Sequence, residues 1–274
     1  MDNEIRAIEK LCTLDNGKNL VQVFYHESGP ADPLSSWHDL HQIDIELCTK
    51  NLRDEIKSDS TSMLEQLTQI ANSISNPEHN NELKGRLQIT CTKILGILFD
   101  ILHGLEFIHI HDEVHRDLKP ENSIHYWGLS NLLVLFSYID RRWKIADFGS
   151  TTEGTSQRPS HTTSRRGTER YRAPELLGDE GLFTSKTDIW ALGCITYEIC
   201  TAKQAFSGDW ATMKYVESGG EPHKSIFGFP SGWTFGKLAK SISDTCVTAA
   251  LQLSMDARPS ATDILTVLKE LSEM

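Results

Sequence analysis

The run His115-Arg116-Asp117-Leu118-Lys119-Pro120-Glu121-Asn122, followed downstream by Asp147-Phe148-Gly149, decides the fold of this chain. It supplies two carboxylates and an amide at a separation that suits phosphoryl transfer, in which one aspartate orients a hydroxyl nucleophile while a second aspartate and an asparagine hold magnesium. A lone Asp-Phe-Gly arises easily by chance, whereas the long run followed by it does not. The pair of motifs therefore indicates this chemistry rather than an ordinary strand and turn.

The first run matches the pattern H-R-D-L-x-x-x-N at every fixed position, so the chain resembles the eukaryotic protein kinases. Gly167–Glu175 is similar to the kinase segment that closes the activation loop and meets a polypeptide substrate. Lys119, within D-L-K-P-E-N, is typical of the serine/threonine branch, and the combination of Glu46-Leu47-Cys48 with Trp143–Gly149 resembles fungal members of that branch.

The fold that this resemblance implies is an α+β, kinase-like fold, mainly the helical C-lobe with a partial β-containing N-lobe. Residues 1–48 would form the partial N-lobe, with the αC helix, two strands and the hinge. Residues 49–274 would form the C-lobe, with the catalytic loop, the activation loop and the terminal helices.

The composition is that of an ordinary globular protein and sets limits on partners. The chain has 274 residues, of which 39% are hydrophobic and 24% charged. Its net charge of −11 argues against binding to nucleic acid or to an anionic membrane, because either would need a basic footprint. The six cysteines form no CxxC pair, the start lacks an apolar signal region, and the most apolar stretch, Ile94–Ile110, is too polar to span a bilayer. We expect an intracellular protein, cytoplasmic or nuclear.

The hydrophobic pattern predicts helices and strands on either side of the central motifs. A helical spacing of apolar residues begins at Glu4, and a long amphipathic helix follows the two early strands. The predicted helices are Glu4–Leu14, Leu83–Ile110, Ile189–Ile195 and Ile264–Leu271, and the predicted strands are Leu20–Tyr25, His41–Leu47 and Trp143–Ala146.

The resemblance implies ATP and Mg²⁺ as cofactors and assigns a role to individual residues. Asp117 would accept the proton of the substrate hydroxyl, Lys119 would lie beside the transferring phosphoryl group, and Thr168 would hydrogen-bond to this pair. Asp147 would chelate magnesium together with Asn122. The main chain at Glu46 and Cys48 would contact the adenine, and Leu133 would belong to the strand beneath it.

Other residues are implied to be architectural rather than catalytic. Glu175 would pair with Arg258, because a buried carboxylate needs a bidentate partner of this kind. Asp188 would brace the backbone of the catalytic loop. Glu4 would occupy the place of the αC glutamate, with Ile8, His115 and Phe148 stacked beside it as a hydrophobic spine.

The Ser/Thr-rich loop before Gly167 offers two acceptors for regulatory phosphorylation, by an activating kinase or by autophosphorylation. A phosphate on Thr162 or Thr163 would pair with Arg116 and order the loop. The alternative is a flexible polar loop with no switch.

Two departures from the kinase pattern affect the phosphate-binding parts. The Gly-rich loop and the lysine strand precede the αC glutamate in that pattern, but Met1 stands three residues before Glu4, so we expect an N-terminal truncation. The catalytic loop also carries an insertion, since removing either Asn122–Ser130 or Ser123–Asn131, nine residues in each case, restores Glu-Asn-Leu-Leu-Val. The magnesium ligand is therefore Asn122 or Asn131.

The sequence favours a serine/threonine protein kinase that transfers the γ-phosphoryl group of ATP to hydroxyl groups of protein substrates. The alternative is a catalytically impaired pseudokinase or kinase fragment that acts by binding. The truncation favours this alternative, whereas the intact Asp117, Lys119 and Asp147 favour the enzyme.

Overall fold

The computed structural model describes residues 2–12, 17–29, 40–58, 77–120, 122–123, 131–132, 134–154, 160–162, 167–178, 181–220 and 241–273. Within these ranges the chain has an α+β fold in which helices outweigh short antiparallel strands. The longer helices are α1 (Asp2–Leu11), α2 (Pro77–Ile110), α3 (Ser185–Thr201), α4 (Asp209–Glu217) and α5 (Ala261–Ser272). The strands are β1 (Val23–Gly29), β2 (Leu40–Ile45), β3 (Cys48–Asn51), β4 (Glu113–Val114), β5 (Asn122–Ser123), β6 (Asn131–Leu132), β7 (Val134–Ser137), β8 (Arg142–Ile145), β9 (Thr152–Glu153), β10 (Ser160–Thr162) and β11 (Gly181–Phe183).

The core is built on α2 and α3. The apolar face predicted for α2 is buried from Ile94 to Ile108, as at Leu98 and Ile101, and α3 is buried around almost its whole circumference, with Trp190 at its centre. Helix α2 begins six residues before the predicted start at Leu83, because proline at position 77 is well suited to a first helical turn and the apolar pattern begins only later. None of the helices in the described ranges combines the length and apolarity that crossing a bilayer requires.

The ends of α3 and α5 follow from short polar signals in the sequence. Thr184 caps the start of α3 in a reciprocal pair with Thr187, and α3 stops where Ala202 adopts a left-handed backbone with φ 54°. Ser260 and Asp263 form the corresponding capping box of α5. Each box satisfies amides that the first turn of a helix leaves without a partner. The caps therefore fix where both helices begin.

The strands bring the central motifs to one place. Strands β3, β7 and β8 form an antiparallel sheet in that order, and β8 ends two residues before Asp147. The first predicted strand, Leu20–Tyr25, begins three residues later than predicted, as β1 at Val23, and it pairs with β2. The reason is that Leu20 forms a parallel bridge to Ile145 of β8 instead. Where α2 crosses β8, a Cβ on Gly104 would lie 2.9 Å from Ile145 Cδ1 and 3.0 Å from Asn19 O, so glycine favours this close approach.

Candidate active site

Asp117 lies at the centre of a three-residue hydrogen-bond network. Lys119 Nζ lies 2.7 Å from Asp117 Oδ2, and Thr168 Oγ1 donates to Asp117 Oδ1 over 2.8 Å. Thr168 lies 51 residues further along the chain than Asp117 and directly follows Gly167. Position 167 favours glycine, because its φ is 81° and a Cβ there would lie 2.9 Å from Arg116 O. The network expected from the sequence is confirmed as a set of contacts.

The backbone of the segment that carries Asp117 is held by a carboxylate from α3. Asp188 accepts the amides of His115 and Arg116, each over 2.9 Å, and its Oδ2 also lies 2.9 Å from His109 Nε2. Burial by itself raises the pKa of the Asp188 carboxyl, but the hydrogen bond from His109 and the nearby imidazoles outweigh it and hold that pKa below its ordinary value. Asp188 therefore braces this segment as an ionised carboxylate, as predicted. Arg116 is consequently held with a left-handed φ of 70°.

Asp147 follows β8 with a left-handed φ of 62°, and its Oδ1 accepts the amide of Gly149 over 3.1 Å. Phe148 is buried and meets the ring of His115 edge-on, with the ring centroids 6.0 Å apart; Ile8 belongs to the same core cluster. A Cβ on Gly149 would lie 3.4 Å from Glu4 Oε2, so α1 brings its glutamate next to this turn. The Asp147 carboxylate supplies hard oxygen atoms of the kind that Mg²⁺ prefers as ligands.

The two asparagines proposed as alternative magnesium ligands lie at the base of one hairpin. In the backbone register Asn122 is opposite Leu132, and Ser123 is opposite Asn131. The two ends of the segment that the sequence predicts to be an insertion are therefore paired with each other, and β7 begins at Val134 shortly afterwards. The structure describes only the backbone at Asn122 and Asn131, so the choice between them stays open, and Leu133 lies outside the described residues.

Of the predicted hinge residues, Cys48 begins β3 in the sheet that carries β8, and Glu46 lies two residues before it. Glu46 is buried and its Oε1 accepts the amide of Gln22 over 2.7 Å and Lys144 Nζ over 2.6 Å. Lys144 Nζ also lies 2.5 Å from Asp140 Oδ2. Burial by itself lowers the pKa of the Lys144 ammonium, but these two carboxylates outweigh burial and raise it. Cys48 packs against a small apolar cluster formed by Val21, Leu135 and Ala146.

The ion pair between Glu46 and Lys144 was not anticipated from the sequence. Its signal was present, since a lysine within the apolar strand Trp143–Ala146 is buried only when a carboxylate accompanies it. The pair joins the predicted hinge to the strand that leads into Asp147. A cavity of about 550 Å³ is lined by Leu11, Lys18 and Arg142, among others. None of its lining residues was predicted for the active site, so we do not place the active site in this cavity.

The predicted ion pair between Glu175 and Arg258 is confirmed. Arg258 is fully buried, and its two terminal nitrogens donate to the two carboxylate oxygens of Glu175 over 2.7 and 2.8 Å. The guanidinium also lies over the ring of Trp190, 4.9 Å from its centroid. This pair joins the segment after Thr168 to the core helix α3 and to the turn before α5.

The side chains available as metal ligands suit Mg²⁺, which needs few protein ligands, better than a metal ion that is enclosed entirely by protein side chains. Among the described residues there is no group of three or more His, Cys, Asp and Glu side chains that could hold a metal ion. Magnesium is ordinarily held by one or two carboxylates together with substrate phosphates and water. Asp147, with an asparagine at position 122 or 131, fits that pattern.

Comparison with known proteins gives the same assignment along most of the chain. Residues 54–267 match the family model described as the protein kinase domain. Cell division control protein 2 homolog 3 of Trypanosoma brucei brucei is 41% identical over 121 residues, which are 44% of this chain and 34% of that relative. Serine/threonine-protein kinase ICK of Rattus norvegicus is 36% identical over 157 residues, 56% of this chain and 22% of the relative.

Serine/threonine-protein kinase MAK of Homo sapiens is a third similar protein, 34% identical over 177 residues, which are 63% of this chain and 26% of the relative. The chain thus spans between 22% and 34% of the length of these three relatives.

Proposed function

Because this chain belongs to the protein kinase family, in its serine/threonine branch, we propose that it transfers the γ-phosphoryl group of ATP to serine or threonine hydroxyls of other proteins. The observation that carries this proposal is the network of Asp117, Lys119 and Thr168. It places a carboxylate that can accept a proton beside a cation that can neutralise charge, on a loop braced from the core.

In this mechanism Asp117 orients the substrate hydroxyl and accepts its proton as the oxygen attacks. Lys119, held 2.7 Å from Asp117, neutralises negative charge that develops on the transferring group. Thr168 keeps Asp117 in position through Oδ1. Since the Thr168 side chain is a donor to one oxygen and Lys119 contacts the other, Asp117 is fixed in orientation before a substrate arrives, which is the preorganisation that catalysis requires.

Nucleotide and magnesium would be held by residues on both sides of Asp147. Asp147 and Asn122, or Asn131 in its place, would ligate the metal, and the main chain at Glu46 and Cys48 would contact the adenine, with Leu133 beneath it. When bound, Mg²⁺ neutralises phosphate charge and fixes the phosphoryl group for in-line transfer. The division at residue 48 into a partial N-lobe and a C-lobe belongs to the same proposal.

Binding of Mg-ATP gives the test that separates an enzyme from a module that only binds proteins. We expect Mg-ATP at about 100 times its Kd to stabilise the fold by about 2.7 kcal/mol, which is a rise of about 5 °C or more in the melting temperature. Asp147→Asn should abolish that rise, because it removes one metal-ligating charge. The matched control is Asp112→Asn, since Asp112 is exposed and has a similar φ of 60°. No rise with the unsubstituted protein would contradict the proposed nucleotide site.

Phosphorylation of Thr162 or Thr163 is proposed as an activating step. In support, β10 pairs with β11 so that Ser160 is opposite Phe183, and the Arg116 guanidinium lies 4.7 Å from the centroid of the Phe183 ring. A phosphate close to β10 would thus be near the buried guanidinium of Arg116. Thr163 lies outside the described residues, and Thr162 is described only in its backbone.

We expect the double replacement Thr162→Ala/Thr163→Ala to lower transfer activity by about tenfold, which corresponds to about 1.4 kcal/mol. Phosphatase treatment of the unsubstituted protein should lower its transfer activity by the same factor, and intact-mass measurement would verify that the phosphate has been removed. Ser218→Ala, at an exposed hydroxyl after α4, is the control. Full activity in the double variant would remove the switch from the proposal.

A further inference from the structure

Three segments of the chain meet at the side chain of Glu113, which is completely buried. Glu113 lies on β4, two residues before His115. Arg6 Nη2 donates to Glu113 Oε2 over 2.8 Å, Arg6 Nη1 donates to Oε1, and Lys10 Nζ donates to Oε1 over 2.9 Å. Both cations belong to α1, so the helix is joined to the strand that precedes the catalytic loop.

The third segment is the one that follows Asp147. Strand β9 pairs with β4 so that Glu153 is directly opposite Glu113. Two carboxylates in this position repel each other. Arg6 Nη1 lies 3.5 Å and Lys10 Nζ 4.0 Å from Glu153 Oε1, so the same two cations compensate both carboxylates. The pairing of β4 with β9 thus depends on cations that α1 provides.

The two carboxylates are held in different environments. Glu153 is 71% exposed, whereas Glu113 has no access to solvent. Burial by itself raises the pKa of Glu113, but Arg6 and Lys10 outweigh it and hold that pKa below its ordinary value. A buried carboxylate with two cationic partners holds its surroundings in one geometry. The ion pairs of an exposed carboxylate are weak, because water competes for the same contacts.

We infer that Glu113 is a positioning residue, which fixes α1 against the strands that flank the segments carrying Asp117 and Asp147. The inference rests on the proposed function, in which Asp147 ligates the metal. Through Glu113, the same helix that carries Arg6 and Lys10 sets Glu4 beside Gly149. Glu113 contacts no reacting group in this scheme, so it acts on the site through α1 and β9.

Hydrogen–deuterium exchange measured on the whole protein tests this inference without any substrate. We expect Glu113→Gln to speed amide exchange by tenfold or more in α1 and in residues 147–154, while α4, which packs against Pro174–Leu176, keeps its protection. Glu153→Gln is the matched control, because it removes the exposed carboxylate of the same cluster. It should change exchange in α1 by less than about threefold.

A second, milder variant covers the case in which Glu113→Gln does not fold. Arg6→Gln changes a partly exposed residue and leaves Lys10 to compensate Glu113, so it should loosen α1 and residues 147–154 in the same pattern to a smaller extent. If the enzyme is active, Glu113→Gln should also lower kcat, and Glu113→Asp, which keeps the charge, should restore part of it.

Two outcomes would overturn the inference. One is unchanged exchange of α1 in both Glu113→Gln and Arg6→Gln. The other is an equal loss of protection in α1 and α4, which would mean that Glu113 supports only global stability. If the unsubstituted protein transfers no phosphate, the proposed function fails, but the exchange pattern still decides whether Glu113 holds α1 and residues 147–154 together.

Discussion

Replacing Asp117 by asparagine is expected to lower the rate of phosphoryl transfer by about 10²–10⁴-fold while the fold stays intact. Asparagine keeps the shape of the side chain and can still accept the hydrogen bond from Thr168, but its amide cannot take up the proton of the substrate hydroxyl. It also removes the charge that holds Lys119 at 2.7 Å. The loss should therefore appear in kcat more than in KM for ATP, because Asp117 acts on the hydroxyl rather than on the nucleotide.

The measurement for Asp117→Asn is a steady-state transfer assay with varied Mg-ATP, accompanied by a thermal melt of each protein. Asp112→Asn serves as the control, since Asp112 is exposed and lies just upstream in the same segment. Its rate should match that of the unsubstituted protein within about twofold. An Asp117→Asn protein that folds and keeps its full kcat would contradict the role given to Asp117.

Replacing Glu175 by glutamine is expected to destabilise the protein by about 3–5 kcal/mol, because it leaves the fully buried Arg258 without its carboxylate. Glutamine can accept one of the two hydrogen bonds but supplies no negative charge. The other contacts of Arg258, to carbonyl oxygens such as that of Gln252 over 2.8 Å, satisfy its donors without neutralising it. The melting temperature should fall by about 6 °C or more.

Urea unfolding of Glu175→Gln gives the free energy of unfolding directly, and Glu270→Gln, at an exposed position on α5, is the control, expected to change it by less than about 0.5 kcal/mol. The folded Glu175→Gln protein should keep its specific activity, since Glu175 belongs to the framework. A change of under about 1 kcal/mol in the free energy of unfolding would contradict the structural importance of this pair.

The contacts that the sequence predicted are those made by residues within recognisable motifs. Asp117, Lys119 and Thr168 meet as expected, and so do Glu175 and Arg258, because each belongs to a motif for which the kinase resemblance implies the partner. Asp188 was predicted for the same reason. The long central helix was also predicted, since its apolar period is regular, although its start at Pro77 was not.

The contacts that the sequence did not predict join charged residues on elements that are far apart along the chain. Lys144 is 98 residues from Glu46, and Glu113 is 107 residues from Arg6. The sequence shows that Lys144 lies among apolar neighbours, but it does not show which carboxylate will meet it, and nothing in the sequence around Glu113 shows which cations will reach it. That information depends on how helices and sheets pack, and it appears only in three dimensions.

Identification of the phosphorylated amino acid tests the central claim most directly. The protein would be incubated with Mg²⁺, ATP labelled on its γ-phosphate and a library of peptides that contain serine, threonine and tyrosine, and the label would be located after hydrolysis. We predict label on phosphoserine and phosphothreonine with the unsubstituted protein, and at least about 100-fold less of it with Asp117→Asn. Label confined to tyrosine, or no transfer to any peptide by a protein that binds Mg-ATP, would contradict the proposed serine/threonine kinase activity.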